Sequence, residues 1–128
     1  MHRSRLAAIV IDNEVDDIEH ANTFWEGALG LSCKRSDEQW AERYSSLDTK
    51  QGHPHILIQK VDHPSRLHFD IETDNIEAEV IRLNALGATV VKRFPRWVVM
   101  EAPTGHRFCV VHPQREDFST ALDVNQWE

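Results

Sequence analysis

The stretch Arg66-Leu67-His68-Phe69-Asp70-Ile71-Glu72-Thr73, running into Asp74-Asn75-Ile76-Glu77, decides the fold of this 128-residue chain. Its first eight residues alternate, with Leu67, Phe69 and Ile71 on one side of an extended strand and His68, Asp70 and Glu72 on the other. Asp74 with Glu77 then reads as an acidic capping box. Ile76, Val80, Leu83 and Leu86 recur at helical spacing until Gly87 supplies a stop. Three strand-like runs follow: Ala88 to Arg93, Trp97 to Glu101 and Arg107 to His112, the last two joined by the compact turn Pro103-Thr104-Gly105.

Upstream, the same order is already present once. Leu6 to Ile11 is a continuous apolar run closed by Asp12 and Asn13, which suits a strand buried on both faces. Val15, Ile18, Ala21, Trp25 and Leu29 then recur at helical spacing. Asp16, Asp17 and Glu19 place negative charge where the helix dipole favours it, and Gly30 ends the run. Short strands through Cys33, Trp40, Tyr44 and Leu47 lead to the dense apolar run Ile56 to Val61. The two helices close on the same tripeptide, Ala28-Leu29-Gly30 and Ala85-Leu86-Gly87. An element order repeated in this way reads as duplication of one β-α-β-β-β unit. The expected fold is therefore α+β, one domain over residues 1–113 built of modules at about 5–62 and 65–113, with an acidic tail at 114–128.

Composition narrows the function classes. A hydrophobic share of 41% with only five Gly and five Pro excludes a disordered or low-complexity chain. Fourteen Lys and Arg against 21 Asp and Glu give a formal net charge of -7, which repels a phosphate backbone, so no nucleic-acid partner is expected. No apolar stretch approaches the roughly 20 residues of a membrane-spanning helix, and Leu6 to Ile11 is too short for a signal peptide. Cys33 and Cys109 form no CxxC spacing and are read as reduced thiols in a cytoplasmic protein.

The sequence resembles the glyoxalase, bleomycin-resistance and extradiol-dioxygenase superfamily, the vicinal oxygen chelate fold. The matching text is Phe24-Trp25 with Ala28-Leu29-Gly30, Leu67-His68-Phe69-Asp70-Ile71 leading into Asp74, Gly87-Ala88, and Ala102-Pro103-Thr104-Gly105-His106-Arg107-Phe108-Cys109-Val110-Val111. The resemblance implies a curved mixed sheet whose two modules close around a cup. In the family's enzymes, side chains from four strands hold a divalent metal there, and the metal polarises a substrate bearing neighbouring oxygens. His68 matches the family's histidine ligand. The first-strand position falls between Ala8 and Ile11, where no residue binds metal. The final-strand glutamate position is Cys109, and between Ile56 and Gln59 only Gln59 offers an oxygen. One histidine, one thiol and one amide are a poor set, so no metal cofactor is expected, and a divalent ion is the alternative.

The remaining candidates are weighed on their residues. Asp70 shares the side of the pleat with His68 and can orient it as a general base, against the plainer reading of a pocket-lining histidine. Cys109 has no basic partner assignable from sequence. His53 and His55 flank Pro54, which favours a turn over a metal site, and His63, His106 and His112 sit at element ends. Trp25 is core or a cover for the cup. Trp40 and Trp97 are placed on strands, and Trp97 with Arg93 and Arg96 would suit a flat or anionic molecule. The expectation is a protein that binds a small organic molecule, as a monomer or homodimer, through Trp25, Gln59, His68, Trp97 and Cys109. The alternatives are a lyase, isomerase or dioxygenase-type enzyme using a metal or His68 with Asp70, and a drug-sequestering resistance protein.

Overall fold

The computed structural model describes residues 1–37 and 39–128. It has β1 (His2–Glu14), α1 (Ile18–Leu29), β2 (Cys33–Arg35), β3 (Tyr44–Leu47) and β4 (His55–Val61), and then β5 (Arg66–Thr73), α2 (Ile76–Ala85), β6 (Thr89–Arg93), β7 (Trp97–Glu101), β8 (Arg107–Val111) and β9 (Asn125–Trp127). Among the described residues, nine strands of mixed direction with two helices make an α+β fold, and the first ten elements are two βαβββ modules in succession.

Both helices start and stop where local chemistry dictates. Asp17 caps α1, its side chain accepting from Glu19 N, and Gly30 ends it in the left-handed region at φ 67, its N–H bonded to Glu26 O. The cap of α2 corrects the expected capping box. Asn75 is the cap, accepting from Ala78 N, while Asp74 Oδ1 accepts from Arg3 N of β1 at 2.9 Å. Gly87 follows α2 at φ 106, and a Cβ there would stand 3.3 Å from Pro103 Cγ, so both backbone conformation and space select glycine. Leu86, placed in the apolar stripe by spacing, is exposed, because the helix ends at Ala85 and Leu86 is its capping residue.

The chain forms two compact units, one of residues 8–67 and the other of 1–7 with 68–128. The division falls inside β1, not at the start of the module. In the first unit the strand order is β2-β3-β4-β1, with β1 parallel to β4, and α1 covers one sheet face through Ile18 and Ala21 on Leu47, Ile56 and Ile58. In the second the order is β1-β5-β8-β7-β6, with β5 parallel to β8, and α2 covers Ile71, Val98, Met100 and Val110 through Val80 and Leu83. Alternation leaves the opposite face of each sheet to a different set of side chains.

Residues 114–128 are part of the second unit. Asn125–Trp127 pairs antiparallel with His2–Ser4, and Phe118 and Val124 are buried. Arg5, 4% exposed, reaches Glu72 Oε2 at 2.7 Å and Asp117 and Asp123 at 2.6 Å each. Glu72 in turn accepts from the backbone N–H groups of Gln114 and Arg115. These ties explain why the first seven residues belong with the second half of the chain.

A second buried carboxylate makes stability depend on acid. Glu79 is fully buried on α2, accepting from Arg82 Nε and Nη2 at 2.8 Å each, with His2 Nε2 at 2.7 Å. Burial works against its charge, but hydrogen bonds from Arg82, His2 and Ser4 outweigh it and hold the carboxyl below its ordinary value of 4.5. A carboxyl with a lowered folded-state pKa contributes stability that is complete above the unfolded value and is lost as pH falls through the folded one. The melting temperature should therefore fall as the pH drops below 4.5, and Glu79→Gln should flatten that limb while lowering the neutral-pH value. An unchanged acid limb in Glu79→Gln would rule this origin out.

Candidate functional site

In the second unit, pairing places a polar cluster on the sheet face that α2 leaves uncovered. Asp70 of β5 pairs with Cys109 of β8, and Cys109 with Val99 of β7, so the three side chains share a face, and His68 joins them two residues before Asp70. His68 Nε2 lies 3.5 Å from Asp70 Oδ1, with the two side chains 12% and 16% exposed. The donor atoms of His68, Asp70 and Cys109 all lie within 4.8 Å of one another, and this is the one such group among the described residues. Arg107 and Glu101 continue the face as an ion pair at 3.1 Å.

Set against the divalent metal that the resemblance implies, these donors fit one kind of ion. Imidazole, carboxylate and thiolate suit a zinc-type cation, whereas magnesium and calcium take oxygen ligands. Asp70 is the donor that counting family positions missed. The signal was present in the spacing, since residues i and i+2 of a strand share a face.

Trp97 stands on the same face by its pairing with Val111, and stacks on Phe94 with ring centroids 4.4 Å apart. Lys92 Nζ lies over the Phe94 ring at 4.8 Å. Arg93, placed beside Trp97 by sequence, instead pairs with Glu77 of α2 at 2.6 Å.

In the first unit, Gln59 and Trp25 lie on opposite sides of the sheet. Trp25 packs with the α1-side cluster, donates its Nε1–H to Asn13 Oδ1 at 3.0 Å and meets Phe24 edge-to-face. Gln59 projects from the uncovered face beside its partner Tyr44, and its Nε2 donates to the Tyr44 hydroxyl at 3.2 Å. A cavity of about 400 Å³ is lined by Trp40, Tyr44, Ser46 and Leu57 among others. Trp40 was expected on a strand. It lies in a turn instead, its carbonyl accepting from Arg43 and Tyr44, and this turn carries its ring to within 6.0 Å of the Tyr44 ring. A larger, polar cavity of about 880 Å³ is bordered by Gln59, Glu14, Asp16, His20, Glu42 and His63. Of the other histidines, His63 Nδ1 is 2.9 Å from Pro64 O and His106 is bonded to Thr104.

Paired βαβββ modules, each with a helix on one sheet face and polar side chains on the other, define the vicinal oxygen chelate class. The sequence profile of the glyoxalase-like domain matches residues 8–111, and the chain belongs to that family. No curated protein matches its sequence. Among solved structures it is similar to a hypothetical protein from Bacillus halodurans (TM-score 0.62, 14% identity, 88% of this chain and 96% of that one). It is also similar to methylmalonyl-CoA epimerase from Mycobacterium tuberculosis (0.57, 15%, 91% of each chain). A third is an extradiol ring-cleaving dioxygenase from B. fuscum (0.58, 16%, 86% of this chain and 32% of that one). At these identities the likeness is one of fold. Among the described residues, no helix is long and apolar enough to cross a membrane.

Proposed function

We propose that the chain binds a small organic molecule with a flat apolar part on the sheet face that α1 leaves uncovered. The observation that carries this reading is the cavity walled by Trp40, Tyr44 and Leu57, in which the Tyr44 hydroxyl accepts from the Gln59 amide. Aromatic walls give area and orientation, and a few polar groups fix register, which is the usual make-up of a small-ligand site. The names of the solved neighbours, an epimerase of a CoA ester and a ring-cleaving dioxygenase, also speak for small-molecule partners. We place the protein in the cytoplasm, with Cys33 and Cys109 both free thiols.

A thermal-shift screen of aromatic carboxylates and short acyl thioesters tests the reading. A compound present at a hundred times its Kd adds about 2.7 kcal/mol, roughly 10 °C for a domain of this size. Such a compound should raise the wild-type melting temperature and leave Trp40→Ala unmoved. Equal shifts in both proteins, or none across the panel, would overturn it.

The closeness of His68 to Asp70 favours a second reading, a lyase or isomerase in which Asp70 orients His68 to take a proton from the substrate. Turnover lost in both His68→Gln and Asp70→Asn, with binding kept, would support it. Turnover retained in His68→Gln would exclude it.

A further inference from the structure

We infer that the hairpin joining β6 to β7 is a binding site for a purine nucleoside monophosphate, with the base stacked on Trp97 and the phosphate met by Arg96. The site lies at the β6 edge of the second unit and is independent of the ligand cavity at Trp40 and Tyr44.

Its construction follows from the local sequence Lys92-Arg93-Phe94-Pro95-Arg96-Trp97. Phe94 N donates to Trp97 O at 2.9 Å, so Pro95 and Arg96 form a two-residue tip, stiffened by the fixed φ of proline. Arg93 pairs with the core residue Val98, which turns its side chain to the α2 side, where Glu77 takes it at 2.6 Å. Lys92, paired with Val99, and Phe94, two residues on, fall on the opposite face with Trp97. The Phe94 and Trp97 rings stack across the hairpin at 4.4 Å and 13°. Trp97 covers one face of the Phe94 ring, which leaves the other to Lys92 Nζ at 4.8 Å. Ammonium, phenyl and indole form a ladder, and it ends on a Trp97 side chain still 38% exposed.

An indole held in this way is prepared for one more aromatic layer. Phe94 fixes its orientation and Lys92 fixes Phe94, so stacking a further ring costs little additional ordering. A bicyclic base matches the indole in shape and gains from stacking on it. Charge supplies the second requirement. Arg96 is exposed beside Trp97 and, among the described residues, has no carboxylate partner, whereas Arg93 is already paired with Glu77. A guanidinium without a counter-ion, next to an open aromatic ring, fits a phosphate one sugar away from a base. The formal net charge of -7 opposes polyanions and anionic membranes, so a single phosphate is the matching charge.

Equilibrium dialysis of the full chain against adenosine 5′-monophosphate tests the inference. One nucleotide should bind per chain, adenosine should bind at least about fivefold more weakly, and ribose 5-phosphate should not bind measurably. Added salt should weaken the nucleotide and leave the nucleoside unchanged. Trp97→Ala should weaken the nucleotide at least about tenfold. Arg96→Ser, at the exposed tip, should bring the nucleotide down to the affinity of the nucleoside and remove the salt dependence. Circular dichroism identifies a Trp97 variant that fails to fold, and Arg96→Ser then carries the test. No binding at millimolar nucleotide would overturn the site. So would full affinity in both variants, which would place the nucleotide elsewhere, or equal affinity for adenosine and its monophosphate. Sedimentation of the chain with phosphatidylserine vesicles, lost in Trp97→Ala, would mark the hairpin as a membrane contact and overturn it as well.

Discussion

Replacing Arg5 by Met is expected to lower the stability of the chain by roughly 3 kcal/mol, read as a shift in the urea midpoint with an unchanged slope. Arg5 is 4% exposed and Glu72 is fully buried, so the substitution leaves a carboxylate in the interior without its cation. Glu72 keeps the backbone N–H groups of Gln114 and Arg115, which puts the loss at the lower end of the range for a broken buried pair. The bonds to Asp117 and Asp123 add less, because both carboxylates are partly in water. Hydrogen bonding to Arg5 holds the Asp117 carboxyl below its ordinary 3.8, so that contribution is complete above 3.8 and is lost as the pH falls through the lowered value. Against a typical total of about 5–15 kcal/mol the change is large. The double variant Arg5→Met, Glu72→Gln should recover part of it, because no charge is then buried alone. An unaltered midpoint in Arg5→Met would show that the clamp contributes nothing.

A chain ending at Pro113 should lose more. Phe118 and Val124 are each buried, and full burial of such side chains is worth about 1.5–3 kcal/mol apiece. The same cut removes two of the three acids on Arg5, both backbone donors on Glu72 and the β9 pairing with His2–Ser4. It also strips Trp127, whose ring lies 3.9 Å from the Arg82 guanidinium and whose Nε1 donates to Ser4 Oγ. Losses on the order of 5 kcal/mol are comparable to the whole stability of a small domain, so the truncated chain should show no cooperative melting transition. A sharp transition within about 5 °C of the full chain would mean that 114–128 is an appendage. The family profile ends at residue 111 and begins at residue 8, so a chain trimmed to those bounds should behave like the truncation.

Much of the architecture was legible because it is written in local periodicity. The alternation of Arg66–Thr73, the helical spacing of Ile18, Ala21 and Trp25, and the two Ala-Leu-Gly closures each depend on neighbours within one element, and α1, α2 and the strands around them lie where these patterns place them. The cap of α2 was not legible. Asp74 and Asn75 are both good caps, and the choice fell to Asn75 because Asp74 is drawn to Arg3 N, 71 positions away. The candidate site divides in the same way. His68 and Asp70 could be assigned a common face from spacing alone, but the arrival of Cys109 beside them needed the β5–β8 register. Trp40 and Tyr44 form a wall because of a turn that propensity does not specify, and Trp25 turned out to face the helix side of its sheet.

By itself, then, the sequence determined element types, their repeated order and the family, because each rests on interactions between residues close along the chain. Tertiary structure alone decided which polar side chains meet and that the acidic C-terminal segment is bound. Register between strands, and the pairing of a buried guanidinium with carboxylates more than a hundred residues away, arise only when distant segments exclude water together.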